Sequence, residues 1–97
     1  MECIVRVRFL GRFKTDVGMP YIDFQLAERT PIKNLLRELR GRFGTLASAI
    51  NDDGAPSHDV MVLVNGTDIN VFDSVDELYI DDGDEVLLIP VTHGGAI

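Results

Sequence analysis

The chain is poor in thiols, in lysine and in long apolar runs, and each shortage excludes something. Cys3 is the lone cysteine of 97 residues, so no internal disulfide can form, which fits a reducing compartment. No apolar run approaches the roughly 20 residues that a membrane-spanning helix requires. The opening Met1-Glu2-Cys3-Ile4-Val5-Arg6 lacks the basic-then-apolar layout of a secretory signal, so the cytoplasm is the expected location. Positive charge is the minority: 9 Lys and Arg face 16 Asp and Glu, a net charge of −7. That balance opposes nucleic acid and anionic membranes and favours a basic partner surface. The two histidines, His58 and His93, stand far from Cys3 and lack metal-ligand spacing, so no metal or bound cofactor is expected.

The composition that remains, 45% hydrophobic and 26% charged, belongs to a folded globular domain rather than a disordered one. Cys3, Val5, Val7 and Phe9 alternate with Ile4, Arg6, Arg8 and Leu10, which predicts an opening strand with one apolar face. On that face Cys3 reads as a small core residue rather than a nucleophile. Gly11 to Pro20 reads as a turn region, and Tyr21 to Leu26 as a second, antiparallel strand. Thr30 has the chemistry of a helix N-cap and Pro31 suits the first helical position, with no capping box because Lys33 stands at N3. Ile32, Leu35, Leu36, Leu39 and Phe43 then fall on one helical face, with Arg37, Glu38, Arg40 and Arg42 turned to water and Gly41 and Gly44 ending the helix.

Leu46 to Ile50 can add a helical turn, and Asn51 to Asp59 is a polar loop. Val60 to Val64 is an apolar strand closed by the tight-turn pair Asn65-Gly66, with a short return strand at Thr67-Asp68-Ile69. After a loop around Phe72 to Glu77, Asp82-Gly83-Asp84 turns into a last strand, Glu85 to Ile89. The acidic residues Asp76, Glu77, Asp81, Asp82, Asp84 and Glu85 lack an EF-hand pattern and read as a solvated surface that steers basic partners. The order β-β-α-β-β describes one α+β domain over residues 1–90, a mixed sheet crossed by one helix. One helix covers one face of a sheet. Yet Val60–Val64 and Val86–Ile89 are apolar at consecutive positions, hence on both faces: Met61 and Leu63 point away from the helix if Val60, Val62 and Val64 point toward it, or the reverse. Either the long loop covers the second face or that face is a partner surface.

Residues 91–97 form a tail, Val91-Thr92-His93-Gly94-Gly95-Ala96-Ile97. Two glycines without Cβ atoms make a thin thread that a narrow channel can accept. Asp82-Gly83-Asp84-Glu85-Val86, running through Leu87-Leu88-Ile89-Pro90 to Gly94-Gly95, resembles the ending of the small subunit of molybdopterin synthase and of its β-grasp relatives, the thiamine-pathway sulfur carrier and, more remotely, ubiquitin. Val64-Asn65-Gly66 with Asp68-Ile69, and Phe9-Leu10-Gly11-Arg12-Phe13, resemble the same pattern at comparable places.

That resemblance implies a β-grasp, ubiquitin-like fold that is no enzyme itself but the substrate of partner enzymes. An ATP-dependent activating enzyme of the ubiquitin-activating type would adenylate the carboxylate of Gly95, with His93 and Gly94 in its channel. Sulfur would then give a thiocarboxylate for molybdopterin or another sulfur-containing cofactor. Ala96-Ile97 follow Gly95 here, so the bond between Gly95 and Ala96 would be the cleavage site of a processing peptidase, of the zinc-dependent type in some relatives. A partner surface on Phe9, Met61, Leu63, Leu88 and Pro90 would dock the synthase large subunit. Two alternatives remain open: a protein modifier joined through Gly95 to target lysines, and a non-conjugating β-grasp interaction module. Lys14 and Lys33 are the lysines available for building chains on itself.

Overall fold

A computed structural model describes residues 2–72 and 75–91. Alternation in the first strand does what the sequence predicts. β1 (Cys3–Phe9) turns Cys3, Val5, Val7 and Phe9 inward and leaves Ile4, Arg6 and Arg8 on the other side. β2 (Tyr21–Leu26) pairs with it antiparallel, Val5 opposite Phe24 and Arg6 opposite Asp23. The segment between them is not a plain turn. Arg12–Val17 forms helix α1, whose Phe13 is buried, and which ends on Gly18 in the left-handed conformation with its N–H bonded to the Lys14 carbonyl. The pull is Phe13: burying one aromatic side chain outweighs the turn-forming character of its neighbours.

The main helix α2 (Ile32–Arg42) buries Ile32, Leu35, Leu36 and Leu39 as the spacing predicts, and Phe43 packs at its end. Its start differs from the expectation. Thr30 does not cap it; Thr30–Pro31 form a short strand β3 paired antiparallel with β6 (Tyr79–Ile80), and the Thr30 hydroxyl donates to the Glu28 carbonyl. Pro31 is the flanking residue, and the Ile32 N–H is taken by the Leu78 carbonyl at 2.9 Å. A long-range strand pair thus satisfies an N-terminal donor that a local cap would otherwise serve. Arg40, expected to face water, leans across to Asp52 at 2.7 Å.

After a 3-10 turn at Gly44–Ser48, β4 (Val60–Val64) and β5 (Thr67–Asp68) make the hairpin signalled by Asn65-Gly66, and Ile69–Val71 is a 3-10 turn rather than more strand. The 51–59 loop packs on the first turn of α2, where Gly54 is buried at a φ of +91°, its Cα against the Lys33 carbonyl. A further 3-10 turn, Val75–Glu77, precedes β6. The last strand, β7 (Glu85–Pro90), lies in the middle of a five-stranded sheet of order β2-β1-β7-β4-β5, parallel to β1 and antiparallel to β4. The result is the mixed sheet with one main helix across it that defines a β-grasp. The inward row Val5, Val7, Phe9, Phe24, Val60, Val62, Val64, Val86 and Leu88 meets α2 in one hydrophobic core.

Candidate functional site

β7 carries the chain to the tail, and its last residues are held from both sides. The Leu10 N–H donates to the Leu88 carbonyl at 3.1 Å, and the Val91 N–H donates to the Asp59 carbonyl at 3.0 Å. Pro90 pairs with Val60 of β4, ending a central strand where its missing N–H breaks no ladder. Gly11, at a φ of +55°, lies so close that a Cβ there would sit 2.8 Å from Pro90 Cγ. Hence the course of the chain up to Val91 is set by backbone bonds and close packing. His93, Gly94, Gly95 and Ala96 lie outside the described residues.

The second face of the sheet is where the partner-surface expectation is tested, and part of it needs correction. Phe9 and Leu88 are core residues, 1% and 0% exposed. Phe9 packs edge-on against the Phe43 ring at 6.1 Å between centroids, and Leu88 stands opposite Val62. Successive strand residues point to opposite faces, so Phe9 follows Val5 and Val7 inward, and Leu88 follows Val86. Pro90 shares that inward parity and is half-buried at the tail exit. Met61 and Leu63 do point away from α2, opposite Ile89 and Leu87 respectively. These four side chains form an apolar square on the outer face, Met61 exposed and the other three half-buried.

Beside the square the outer face carries paired charges and an aromatic ring. Leu87 lies next to Arg8, which lies next to Tyr21, and Glu85 lies next to Arg6. Arg8 Nε donates to Glu85 Oε2 at 2.7 Å. Arg6 makes a two-pronged contact with Asp23, at 2.8 and 3.1 Å, while its guanidinium sits 4.0 Å over the Tyr21 ring. The hydrogen bond from Arg6 holds the Asp23 carboxyl below its ordinary range. Leu87, Ile89, Arg6, Arg8 and Tyr21 were not among the residues expected from sequence. The signal that finds them is the parity of β7 once Val86 and Leu88 are assigned inward.

In the acidic segment Asp76, Glu77, Asp81 and Asp82 are exposed, and several of its carboxylates also serve as turn-building acceptors. Asp82 Oδ1 accepts the Ile4 N–H at 2.9 Å, and Asp84 accepts the Asp81 N–H and the Asn65 side-chain amide at 2.7 and 3.0 Å. Asn65 in turn accepts the Glu85 N–H. The Asp82 N–H bonded to Asp81, and the Cys3 thiol donating at 3.5 Å, hold the Asp81 carboxyl below its usual range. Burial, then that carboxylate, pushes the Cys3 thiol up, the direction opposite to a reactive cysteine. Among the described residues no group of three or more His, Cys, Asp and Glu is placed to hold a metal ion. No helix of the described residues is long and apolar enough to cross a membrane. His58 lies on the exposed loop, lining a shallow hollow with Ser57, Met61, Asp68, Asn70 and Val91 beside the exit of β7.

This geometry has close parallels. The ThiS family model matches residues 7–95. Small archaeal modifier protein 3 of Haloferax volcanii is 30% identical over 91 residues, covering 94% of this chain and 98% of that protein. The solution structure of the Haloferax volcanii HVO 2177 protein superposes with a TM-score of 0.82 at 28% identity, over 97% of this chain and 88% of that one. A Pyrococcus furiosus protein, provisionally described as subunit 1 of molybdopterin converting factor, gives a TM-score of 0.71 at 26% identity over 93% of this chain and 99% of that one.

Proposed function

On the premise that this chain belongs to the ThiS family, a ubiquitin-like group of small carriers and modifiers rather than catalysts, we propose that its reacting group is the carboxylate of Gly95. The observation that carries this reading is the extent of the family match, which runs through the domain and stops at Gly95, leaving Ala96-Ile97 outside it. A peptidase, zinc-dependent in this reading, cleaves after Gly95. The freed carboxylate attacks the α-phosphorus of ATP on an activating enzyme, pyrophosphate leaves, and a mixed anhydride replaces a poor electrophile with a good one. Sulfur at the hydrosulfide level then attacks the carbonyl carbon and AMP departs with the electron pair, leaving a thiocarboxylate for molybdopterin or another sulfur-containing cofactor. His93 and Gly94 line the slim segment that enters the enzyme's channel. The outer square of Met61, Leu63, Leu87 and Ile89 supports docking on the activating enzyme or a synthase large subunit, because an apolar patch with a polar rim is the usual form of such a surface. The cytoplasm, where ATP is available, is the compartment this chemistry requires.

A second reading has its own support: the 30%-identical Haloferax volcanii relative is described as a modifier. In that reading a thiol takes the acyl group from the adenylate, and a target lysine amine then displaces the thiol to give an isopeptide. Intact-mass analysis of the protein purified from its native host separates the outcomes. A species ending at Gly95 with one oxygen replaced by sulfur is the expected result for a carrier, and adducts on other proteins are expected for a modifier. A chain that always retains residues beyond Gly95 would refute both and leave an interaction module.

A further inference from the structure

The two lysines of the chain sit in opposite surroundings. Lys14 is on the exposed side of the short helix α1, and no ion pair holds it among the described residues. It is three residues beyond Gly11, whose Cα packs on Pro90, so it stands one helical turn from the exit of β7. Lys33 begins α2 under the 51–59 loop. Its Nζ lies 3.0 Å from Asp76 Oδ1 and 3.7 Å from Asp53 Oδ2, its side chain is 26% exposed, and Gly54 seats on its own carbonyl. Two carboxylates from separate segments therefore converge on one ammonium, and three pieces of chain crowd it.

We propose that Lys14 is the acceptor lysine of this fold, its Nζ taking an acyl group from the activated C-terminal end of a second copy, whereas Lys33 is closed to that reaction. The proposal rests on the modifier reading, in which the activated Gly95 is carried as a thioester. The step needs a neutral amine with a free line of approach. The lone pair of Lys14 Nζ forms a C–N bond to the Gly95 carbonyl carbon, the bond from that carbon to the thiol sulfur breaks, the thiolate leaves with the electron pair, and the ammonium proton passes to solvent. At Lys33 the hydrogen bond to Asp76, reinforced by Asp53, favours the ammonium form and raises its pKa. Acylation there would also leave both carboxylates without their cation and press a new group against the 51–59 loop. Polymers of the chain, if built through lysine, are thus of a single linkage.

The proposal is tested on the intact 97-residue chain with a synthetic thioester of the pentapeptide matching Val91 to Gly95, at mildly alkaline pH, with acylated lysines mapped by mass spectrometry. Lys14 is expected to acylate at least about fivefold faster than Lys33, since ion pairs at partly exposed positions have modest but measurable strength. Replacing Lys14 by Arg should remove most lysine acylation, and Lys33→Arg should leave it within about twofold. The double change Asp53→Asn with Asp76→Asn should raise the rate at Lys33 while that at Lys14 stays put, with circular dichroism showing that the fold persists. Equal rates at the two lysines of the native chain, or a faster Lys33, would overturn the assignment. Because the donor is synthetic, this outcome is independent of whether Gly95 is activated in cells, which the native mass measurement decides.

Discussion

Leu87 and Leu88 are neighbours in β7 on opposite faces of the sheet, and truncating each to alanine should give very different results. Leu88 is 0% exposed and stands opposite Val62, while Leu87 stands opposite Leu63 on the face that α2 does not cover. Leu88→Ala removes buried methyl groups and leaves a cavity in a close-packed core, a loss of about 2–5 kcal/mol. Total stability for a domain of this size is on the order of 5–15 kcal/mol. With about 4–8 °C in Tm per kcal/mol for a domain of 60–100 residues, the melting midpoint should fall by roughly 8–40 °C. Leu87→Ala gives up half-exposed area and opens no closed cavity, so about 1 kcal/mol or less is expected. Urea unfolding followed by far-ultraviolet circular dichroism measures both, provided the slope m is unchanged between variants. Comparable losses for the two variants would mean that the second face is covered after all, and the outer square would lose its standing as a docking surface. The same assay on Met61→Ala should match Leu87→Ala.

Gly54→Ala should cost about 2–4 kcal/mol, since the residue sits at φ +91° and the added Cβ would lie only 2.9 Å from the Lys33 carbonyl carbon; thermal melting checks it, and a shift under 2 °C would contradict the packing of the 51–59 loop. Acid should destabilise the fold through Asp23 and Asp81, whose native carboxyls titrate below the ordinary value of 3.8. In that window the unfolded chain binds protons that the folded chain does not, so their contribution is complete above about pH 5 and is lost as pH falls through the folded-state values. Urea midpoints measured from pH 6 down to pH 3 should show this slope, and Asp23→Asn with Asp81→Asn should flatten it. Gly95→Val should abolish activation by the partner enzyme while leaving the urea midpoint unchanged; normal adenylate formation by that variant, read as pyrophosphate release, would sink the channel argument.

Periodicity alone was enough for the framework. The alternation of β1 and β2, the 3.6-residue stripe of α2, the Asn65-Gly66 hairpin and the turn into β7 are all local signals, and each is found in the structure at or near its expected bounds. Local signals failed where distant chain segments compete with them. Thr30 has the right chemistry for a cap, but pairing with Ile80 draws it into a strand, and Phe13 winds an expected turn into a helix by burying its ring. The outer face shows why a site can be half legible. In strands apolar at every position, alternation says that two faces exist but not which one meets the helix, so Leu88 stood beside Met61 and Leu63 as an equal. Phe9 is different, since the alternation of β1 with Arg6 and Arg8 already put it on the inward face with Val5 and Val7. Likewise two lysines are interchangeable as letters.

Short-range spacing and composition were sufficient for a small mixed sheet with one helix across it, ending in paired glycines, and the order of motifs running up to those glycines carried the resemblance to β-grasp carriers. Tertiary structure alone decided which leucine of β7 looks outward, where the chain leaves the sheet, and which lysine is caged. Each of these depends on contacts between segments far apart in the chain: β7 between β1 and β4, Gly11 on Pro90, and Asp53 with Asp76 around Lys33. Such contacts form only when the hydrophobic core closes, and no window of consecutive residues contains them.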